Sequence, residues 1–267
     1  MIDILPDDVL LEIFDFYREE TIFWVDEDLI FTWTWMELIQ VCRRWRCVIF
    51  GSPRRLDLRV ICTGATPTGT SLDMWPPFPI DIVFWGGVDY ADSIIAALEH
   101  GHDRISQISI DDIEGRALGE LAAAIQQPFP ALKCCCIRSY DKSALVLPET
   151  FLGGSAPVLE HLELYGVPFP AFPQFISSST HLRHLSILNI PDSGYISPDA
   201  MAACLAALPN LQYLSIEFQS PLSHPSHITP PPRTRIVLPA LTDFVFQGAS
   251  EYFDDFVAQI DAPLLTQ

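Results

Sequence analysis

The segment Leu159-Glu160-His161-Leu162-Glu163-Leu164 places apolar residues at its first, fourth and sixth positions. The same spacing returns five more times, in segments that begin at Ile105, Leu132, Leu182, Leu211 and Leu241. The last two apolar positions of the pattern are two residues apart, which is typical of a strand with one buried face. Successive segments begin 27, 27, 23, 29 and 30 residues apart. The chain therefore contains a repeated unit with one strand in each repeat.

The stretches between these strands carry helical patterns. A proline-containing lead-in, such as Phe129-Pro130-Ala131-Leu132, precedes four of the six strands, and proline there ends a helix before the strand begins. Alanine- and leucine-rich composition with helical spacing predicts helices over residues 91–100, 115–127 and 198–208. Weaker strands are predicted over 56–60 and 80–84. The sequence thus predicts an α/β fold in which parallel strands alternate with helices.

The period, the residue classes and the lead-in together resemble those of the leucine-rich repeat, whose units run about 20–29 residues with this strand pattern. The resemblance implies a leucine-rich-repeat solenoid over residues 56–267. Residues 261–267 repeat the lead-in once more. We therefore expect the last repeat to be truncated.

Two amphipathic helices are predicted within residues 1–55. Pro6 suits the first turn of a helix, where its missing N–H costs nothing, and apolar residues follow it at helical spacing. A second helix is predicted from Leu38 to the stop at Gly51-Ser52-Pro53. Residues 19–36, between the two helices, are acidic and aromatic, and we interpret them as an inserted loop.

The pairing of Leu5-Pro6 with the later Val41-Cys42-Arg43-Arg44-Trp45 resembles the F-box, the helical module that docks substrate receptors on the Skp-type adaptor of a cullin ubiquitin ligase. Residues 1–55 are therefore predicted to form an F-box-like helical domain. With its repeats, the chain is similar to F-box proteins with leucine-rich repeats from the expanded families of mushroom-forming fungi. The resemblance assigns adaptor binding to nine residues, namely Leu5, Pro6, Val9, Leu10, Ile13, Leu38, Val41, Cys42 and Trp45.

On this resemblance the chain is the substrate-recognition subunit of a Skp–cullin–F-box E3 ubiquitin ligase. Its partners would be the adaptor, through it the cullin ligase, and a target protein. The alternative is a non-catalytic interaction scaffold without a ligase role, whose F-box has decayed or acts without a cullin.

Target binding is predicted on the concave face that a solenoid would have. Strand alternation turns the residues between the pattern positions toward that face, and concave solenoid faces bind extended partners. The alternative is that these residues form only a solvated sheet face. We expect the target to contact Arg138, His161, Glu163, Tyr165, His184, Leu188, Tyr213 and Glu217.

Composition excludes several classes of partner. The 15 Lys and Arg residues stand against 34 Asp and Glu, for a net charge of −19, which argues against nucleic acid and against anionic membrane surfaces. No basic and apolar leader opens the sequence, and no apolar run reaches the ~18–20 residues that cross a bilayer. The seven cysteines include the triplet Cys134-Cys135-Cys136, which has the spacing of neither a disulfide framework nor a zinc site. We expect a reducing compartment, the cytoplasm or the nucleus.

Catalytic and metal-binding motifs are not predicted. No phosphate-binding glycine loop, nucleophile elbow or zinc-binding helix motif occurs in the sequence. Cys134, Cys136, His161 and His184 would face the same way on neighbouring strands about 4.8 Å apart, so a metal site is geometrically possible. A flat row of side chains supplies ligands poorly, however. We therefore expect no metal and no cofactor, and we expect that the chain is not an enzyme.

Overall fold

A computed structural model describes residues 5–16, 21–25, 28–32, 34–63, 76–85, 91–111, 115–140, 146–219 and 235–265. The helices are α1 (Asp7–Phe16), α2 (Thr34–Val41), α3 (Arg43–Gly51), α4 (Ala91–Gly101), α5 (Gly115–Ala124), α6 (Phe172–Ile176), α7 (Pro198–Leu205) and α8 (Ser250–Val257). Short 3₁₀ turns occupy Phe151–Gly154 and Asp192–Gly194.

The strands are β1 (Thr21–Val25), β2 (Asp28–Thr32), β3 (Val60–Cys62), β4 (Ile80–Trp85), β5 (Ile105–Asp111), β6 (Cys134–Arg138), β7 (His161–Tyr165), β8 (His184–Ile190), β9 (Tyr213–Phe218), β10 (Ile236–Val237), β11 (Asp243–Gln247) and β12 (Ile260–Asp261). In the described residues, eight of them form a sheet in the order β11-β9-β8-β7-β6-β5-β4-β3. All neighbouring pairs in it are parallel. The predicted mixed α/β fold with parallel strands is therefore confirmed.

A tight turn recurs before the strands. The first leucine of each repeat donates its backbone N–H to the carbonyl of the residue three positions earlier, at 3.0–3.4 Å for Leu132, Leu159, Leu182, Leu211 and Leu241. Leu265 makes the same bond to Ala262 at 3.2 Å, so the predicted lead-in near residue 261 adopts the repeated turn. Residues 266 and 267 lie outside the described part. Because the leucine belongs to the turn, β6, β7, β8, β9 and β11 each begin two residues after it.

One face of the large sheet forms the main core. In five of the six repeats the alternating residues predicted to be buried are so: Ile108 and Ile110, Cys135 and Ile137, Leu162 and Leu164, Leu185 and Ile187, and Leu214 and Ile216. In the sixth, Phe244 and Phe246 are only partly buried, because β11 is the edge strand of the sheet. Helices α4 to α8 contribute apolar side chains to the same cluster. Burying each such side chain stabilises the fold by about 1.5–3 kcal/mol, so the repeats are held together by a continuous apolar layer.

A second, smaller core lies among α1, α2 and α3. Its buried members are Leu10, Leu11, Phe14, Leu38, Ile39, Ile49, Leu56, Leu58 and Phe78. The rings of Phe14 and Trp45 meet edge to face with centroids 4.9 Å apart. The cluster reaches Phe78, beyond the predicted boundary at residue 55. Val60 packs against both cores.

Two local predictions for the N-terminal region are wrong. The interval 19–36 was expected to be a loop, but its described residues include the antiparallel pair β1 and β2 and the start of α2. The single helix predicted from Leu38 is divided, because Cys42 adopts an extended conformation between α2 and α3. The Cys42 sulfur accepts a hydrogen bond from the Trp45 N–H at 3.5 Å, so Cys42 caps a new helix.

Candidate functional site

The nine residues predicted to bind an adaptor divide by burial. Leu10 and Leu38 are buried in the smaller core. Four are partly buried, namely Leu5, Ile13, Cys42 and Trp45, and three are exposed, namely Pro6, Val9 and Val41. Sequence periodicity could not separate these groups, because it identifies an apolar face without showing how much of that face the neighbouring helices cover.

Exposed apolar side chains lie on α1 and α2. Val9 is 41% exposed, Val41 is 56% exposed and Phe16 is 83% exposed. Phe16 was not among the predicted residues, although it follows Val9 by two helical turns. We call Val9, Phe16 and Val41 the N-terminal apolar set.

Ion pairs join α1 to the segment that follows α2. Arg44 donates a 2.7 Å hydrogen bond to the Asp7 carboxylate. It also donates to the backbone oxygen of Leu5, and Arg55 pairs with Glu12. These contacts hold the start of α1 against α3. The Leu5-Pro6 motif and the Arg43-Arg44-Trp45 motif, distant in sequence, therefore meet in the structure.

The polar face of the large sheet brings together most of the predicted target-binding residues. Strand pairing places His161 beside both Cys134 and His184, and Glu163 beside Cys136. Tyr165 lies between Arg138 and Leu188 in the same register. Tyr213 lies beside His184 on β9. Glu217 departs from the expected row, because the register of β8 and β9 shifts between Ile187 and Ile190.

A chain of charges crosses three strands on this face. Arg138 lies 3.2 Å from the Asp111 carboxylate and donates from Nε to Glu163 at 2.6 Å. The Glu163 carboxylate lies 3.9 Å from His161 Nε2. Contacts with His161 and with Arg138 lower the pKa of Glu163 to about 2, while hydrogen bonding to Glu163 raises the pKa of Arg138. Asp111 was not among the residues predicted to contact the target. Strand pairing places it beside Arg138 at the end of β5.

Aromatic rings form a second row on the same face. His161, His184 and Tyr213 stack in that order across β7, β8 and β9. Tyr165 meets Tyr140, which was not predicted, with ring centroids 5.0 Å apart. Burial and the neighbouring His161 lower the pKa of His184. The two rows meet at His161.

Two cysteine sulfurs lie next to His161. Cys134 and Cys136 project from one strand toward this face, with their sulfurs 3.8 Å apart. A nitrogen of His161 and both sulfurs all lie within 4.8 Å of one another. Contact with Cys134 and burial raise the pKa of the Cys136 thiol. Contacts with Cys136 and with Glu163 raise the pKa of His161 to about 9. His184, the fourth residue considered for a metal, does not belong to this group.

Comparison with known proteins gives no family assignment. No protein-family model matches the chain, and no curated protein matches it. In the part of the chain that the structure describes, no helix has the length and apolar character needed to cross a membrane. Any function must therefore be argued from the geometry of the two regions above.

Proposed function

We propose that the chain is a non-catalytic substrate-recognition subunit of a Skp–cullin–F-box ubiquitin ligase. Its N-terminal helices would dock on the Skp-type adaptor, and the polar face of the sheet would bind a target protein. The observation that carries the proposal is the N-terminal apolar set, which stays exposed although the smaller core beneath it is already formed by Leu10, Phe14, Leu38 and Ile49. A contiguous exposed apolar patch marks an interaction site for another protein, and this is the role that we assign to the N-terminal apolar set.

The repeated part supports the second half of the proposal. Sequential parallel strands with helices on the core side are what a leucine-rich-repeat solenoid requires. Such a solenoid would offer the stacked rings of His161, His184 and Tyr213 as an aromatic platform that meets the charged row at His161. Aromatic and arginine side chains carry a large share of the energy in protein interfaces. Tethering a target near the ligase would act by raising its effective concentration, with the chemistry left to the partners. Such a ligase would operate in the cytoplasm or the nucleus.

Co-expression with a Skp-type adaptor, followed by size-exclusion chromatography, tests the docking half. We expect a one-to-one complex. Val41→Asp should weaken it at least 10-fold, because a charge would be buried in the interface. Val237→Asp is a matched control, since Val237 is 57% exposed and lies on β10. Its affinity for the adaptor should be unchanged.

The outcomes separate the proposal from its alternative. Absence of any complex with well-folded protein would contradict adaptor docking and favour a free-standing interaction scaffold. A complex that Val41→Asp and Val237→Asp weaken equally would contradict the N-terminal apolar set as its basis. Ubiquitin transfer to a target in a reconstituted ligase then distinguishes a ligase subunit from a scaffold that binds the adaptor without a cullin.

A further inference from the structure

We propose that Cys134, Cys136 and His161 bind one Zn²⁺ ion on the polar face of the sheet, with a fourth coordination position open. The site is independent of adaptor docking. It would hold a thiophilic divalent ion through two thiolates and one imidazole.

The distance between the two sulfurs supports tetrahedral coordination. Zn–S bonds are about 2.3 Å long, so two thiolates on one tetrahedral zinc ion lie about 3.8 Å apart. The Cys134 and Cys136 sulfurs already lie 3.8 Å apart. Both residues sit on β6 with one residue between them, which turns them to the same face of the sheet.

Strand pairing supplies the third ligand. His161 is the direct neighbour of Cys134 on β7, and its ring nitrogen lies within 4.8 Å of both sulfurs. An ion placed among three such atoms reaches each at a bond length of about 2.0–2.3 Å with only small side-chain rotations. All three residues are partly exposed, so an ion can enter from solvent.

The surroundings resemble the outer shell that metal-binding histidines require. The Glu163 carboxylate lies 3.9 Å from His161 Nε2, and Arg138 holds it with a 2.6 Å hydrogen bond. At 3.9 Å the carboxylate makes no direct hydrogen bond to the ring, and a small side-chain rotation would let it accept one and orient the imidazole as a ligand. On the other side, the His184 ring stacks on His161 and limits its rotation. Stacking on His184 thus restrains the imidazole before any ion arrives.

The donor set selects the kind of ion. Two thiolates and an imidazole suit Zn²⁺, whereas Mg²⁺ and Ca²⁺ prefer oxygen ligands. Three protein ligands leave one tetrahedral position for water or for a group from a bound partner. The neighbouring core thiol of Cys135 points into the opposite face and is fully buried, so it cannot join the site.

Metal titration of the full-length chain tests the proposal. Protein treated with a chelator and kept reduced should bind one equivalent of Zn²⁺ in competition with a chromogenic chelator. One equivalent of Co²⁺ should produce visible bands of tetrahedral intensity together with a thiolate-to-cobalt charge-transfer band. Zn²⁺ should also protect Cys134 and Cys136 from alkylation, as read by peptide mass spectrometry, while Cys47 stays reactive. These readouts use the unaltered protein.

Variants then assign the ligands. Cys134→Ser, Cys136→Ser and His161→Gln should each weaken Zn²⁺ binding at least about 100-fold, and Glu163→Gln about 10-fold, in line with the effects of outer-shell changes. Cys47→Ser and His181→Gln are matched controls that should bind like the unaltered chain. Failure to bind Zn²⁺ and Co²⁺, uptake of Cu⁺ alone, or Co²⁺ spectra without thiolate bands would overturn the proposal.

Discussion

The imidazole rings of His161 and His184 stack face to face, with centroids 4.1 Å apart and ring planes 10° apart. His184 stacks in turn on Tyr213, with centroids 4.2 Å apart and 4° between the planes. The three residues share one register position on β7, β8 and β9. Because neighbouring strands lie about 4.8 Å apart, rings at one register position are brought close to stacking distance. Strand pairing therefore builds a slab of aromatic surface across three repeats.

Removing the central ring should destabilise the sheet. We expect His184→Ala to lower the free energy of unfolding by about 1–2 kcal/mol, because two aromatic contacts are lost at once. Chemical denaturation at neutral pH measures the change. His181→Ala is the control and should cost less than about 0.5 kcal/mol, since His181 is exposed. Equal losses in the two variants would show that the stack contributes no stability.

Arg138 should contribute more to the stability of the fold than an ordinary surface cation does. It joins Asp111 and Glu163, whose side chains are only 17% and 15% exposed. Arg138→Met keeps much of the aliphatic stem but leaves two carboxylates without their shared cation, and we expect a loss of about 1–2 kcal/mol in the free energy of unfolding. Urea denaturation at low salt measures this loss.

The control for Arg138 lies between the same two repeats. Lys133 lies 3.7 Å from Glu160, and both side chains are largely exposed. Lys133→Met should therefore change stability by less than about 0.5 kcal/mol. Adding Glu163→Gln to Arg138→Met should recover part of the loss, because one of the unpaired charges is removed. A double variant as unstable as Arg138→Met alone would contradict this explanation.

The cysteines should differ sharply in reactivity. Burial raises the pKa values of Cys62 and Cys204 to about 11, whereas Cys47 is exposed. Only the thiolate is nucleophilic, so at pH 8 a thiol of pKa 11 is ionised to about one part in a thousand. We expect iodoacetamide to modify Cys47 first in the native protein, with labelling of Cys62 and Cys204 increasing as the pH rises toward 11. Peptide mass spectrometry measures each rate. Comparable rates at pH 8 would contradict the burial of these thiols.

Gly166 should resist substitution. It follows β7 with φ +68°, and a Cβ at this position would collide with the backbone oxygen of Ser139. We expect Gly166→Ala to lower the free energy of unfolding by at least about 2 kcal/mol, from strain and from the clash. Gly119→Ala provides the opposite case, because Gly119 lies in α5 and a Cβ there would meet no atom within 4 Å. Thermal denaturation should show that Gly119→Ala is neutral or stabilising by about 0.5–1 kcal/mol.

The strands were predictable because the repeats give the same information several times. Leu162 and Leu164 alternate with polar residues, and apolar pairs with the same spacing recur at intervals near 27 residues. A wrong strand assignment in one repeat would therefore disagree with the assignments in the other repeats. Burial of one sheet face imposes that alternation. The six predicted strands, and the weaker one predicted over 80–84, therefore correspond to strands of the large sheet. The strand predicted over 56–60 is wrong except at Val60, where β3 begins, because Leu56 and Leu58 pack instead in the smaller core.

Other features depend on contacts that local patterns do not contain. The break at Cys42 interrupts an apolar stripe that helical periodicity would continue through. The register shift after Ile187 coincides with Asn189, whose φ is +51°, and nothing in the six-residue pattern marks that position. The approach of the Cys134 and Cys136 sulfurs to His161 depends on rotamers as well as on strand register. Sequence spacing alone therefore indicated that a metal site was possible, but it did not show that the two sulfurs and the His161 nitrogen lie close together.

The sequential strand order of the large sheet has a mechanical consequence. Each strand from β4 to β8 pairs with its predecessor and its successor in that order, and β9 pairs with β8 and β11. Backbone bonds such as Glu160 N–H to Lys133 O link consecutive repeats at 2.8 Å. A pulling force applied to the chain ends would break the backbone hydrogen bonds between one pair of strands at a time, instead of shearing many strand pairs together. Such a sheet should peel from its ends in small steps at low force, and its middle repeats should be the last to yield.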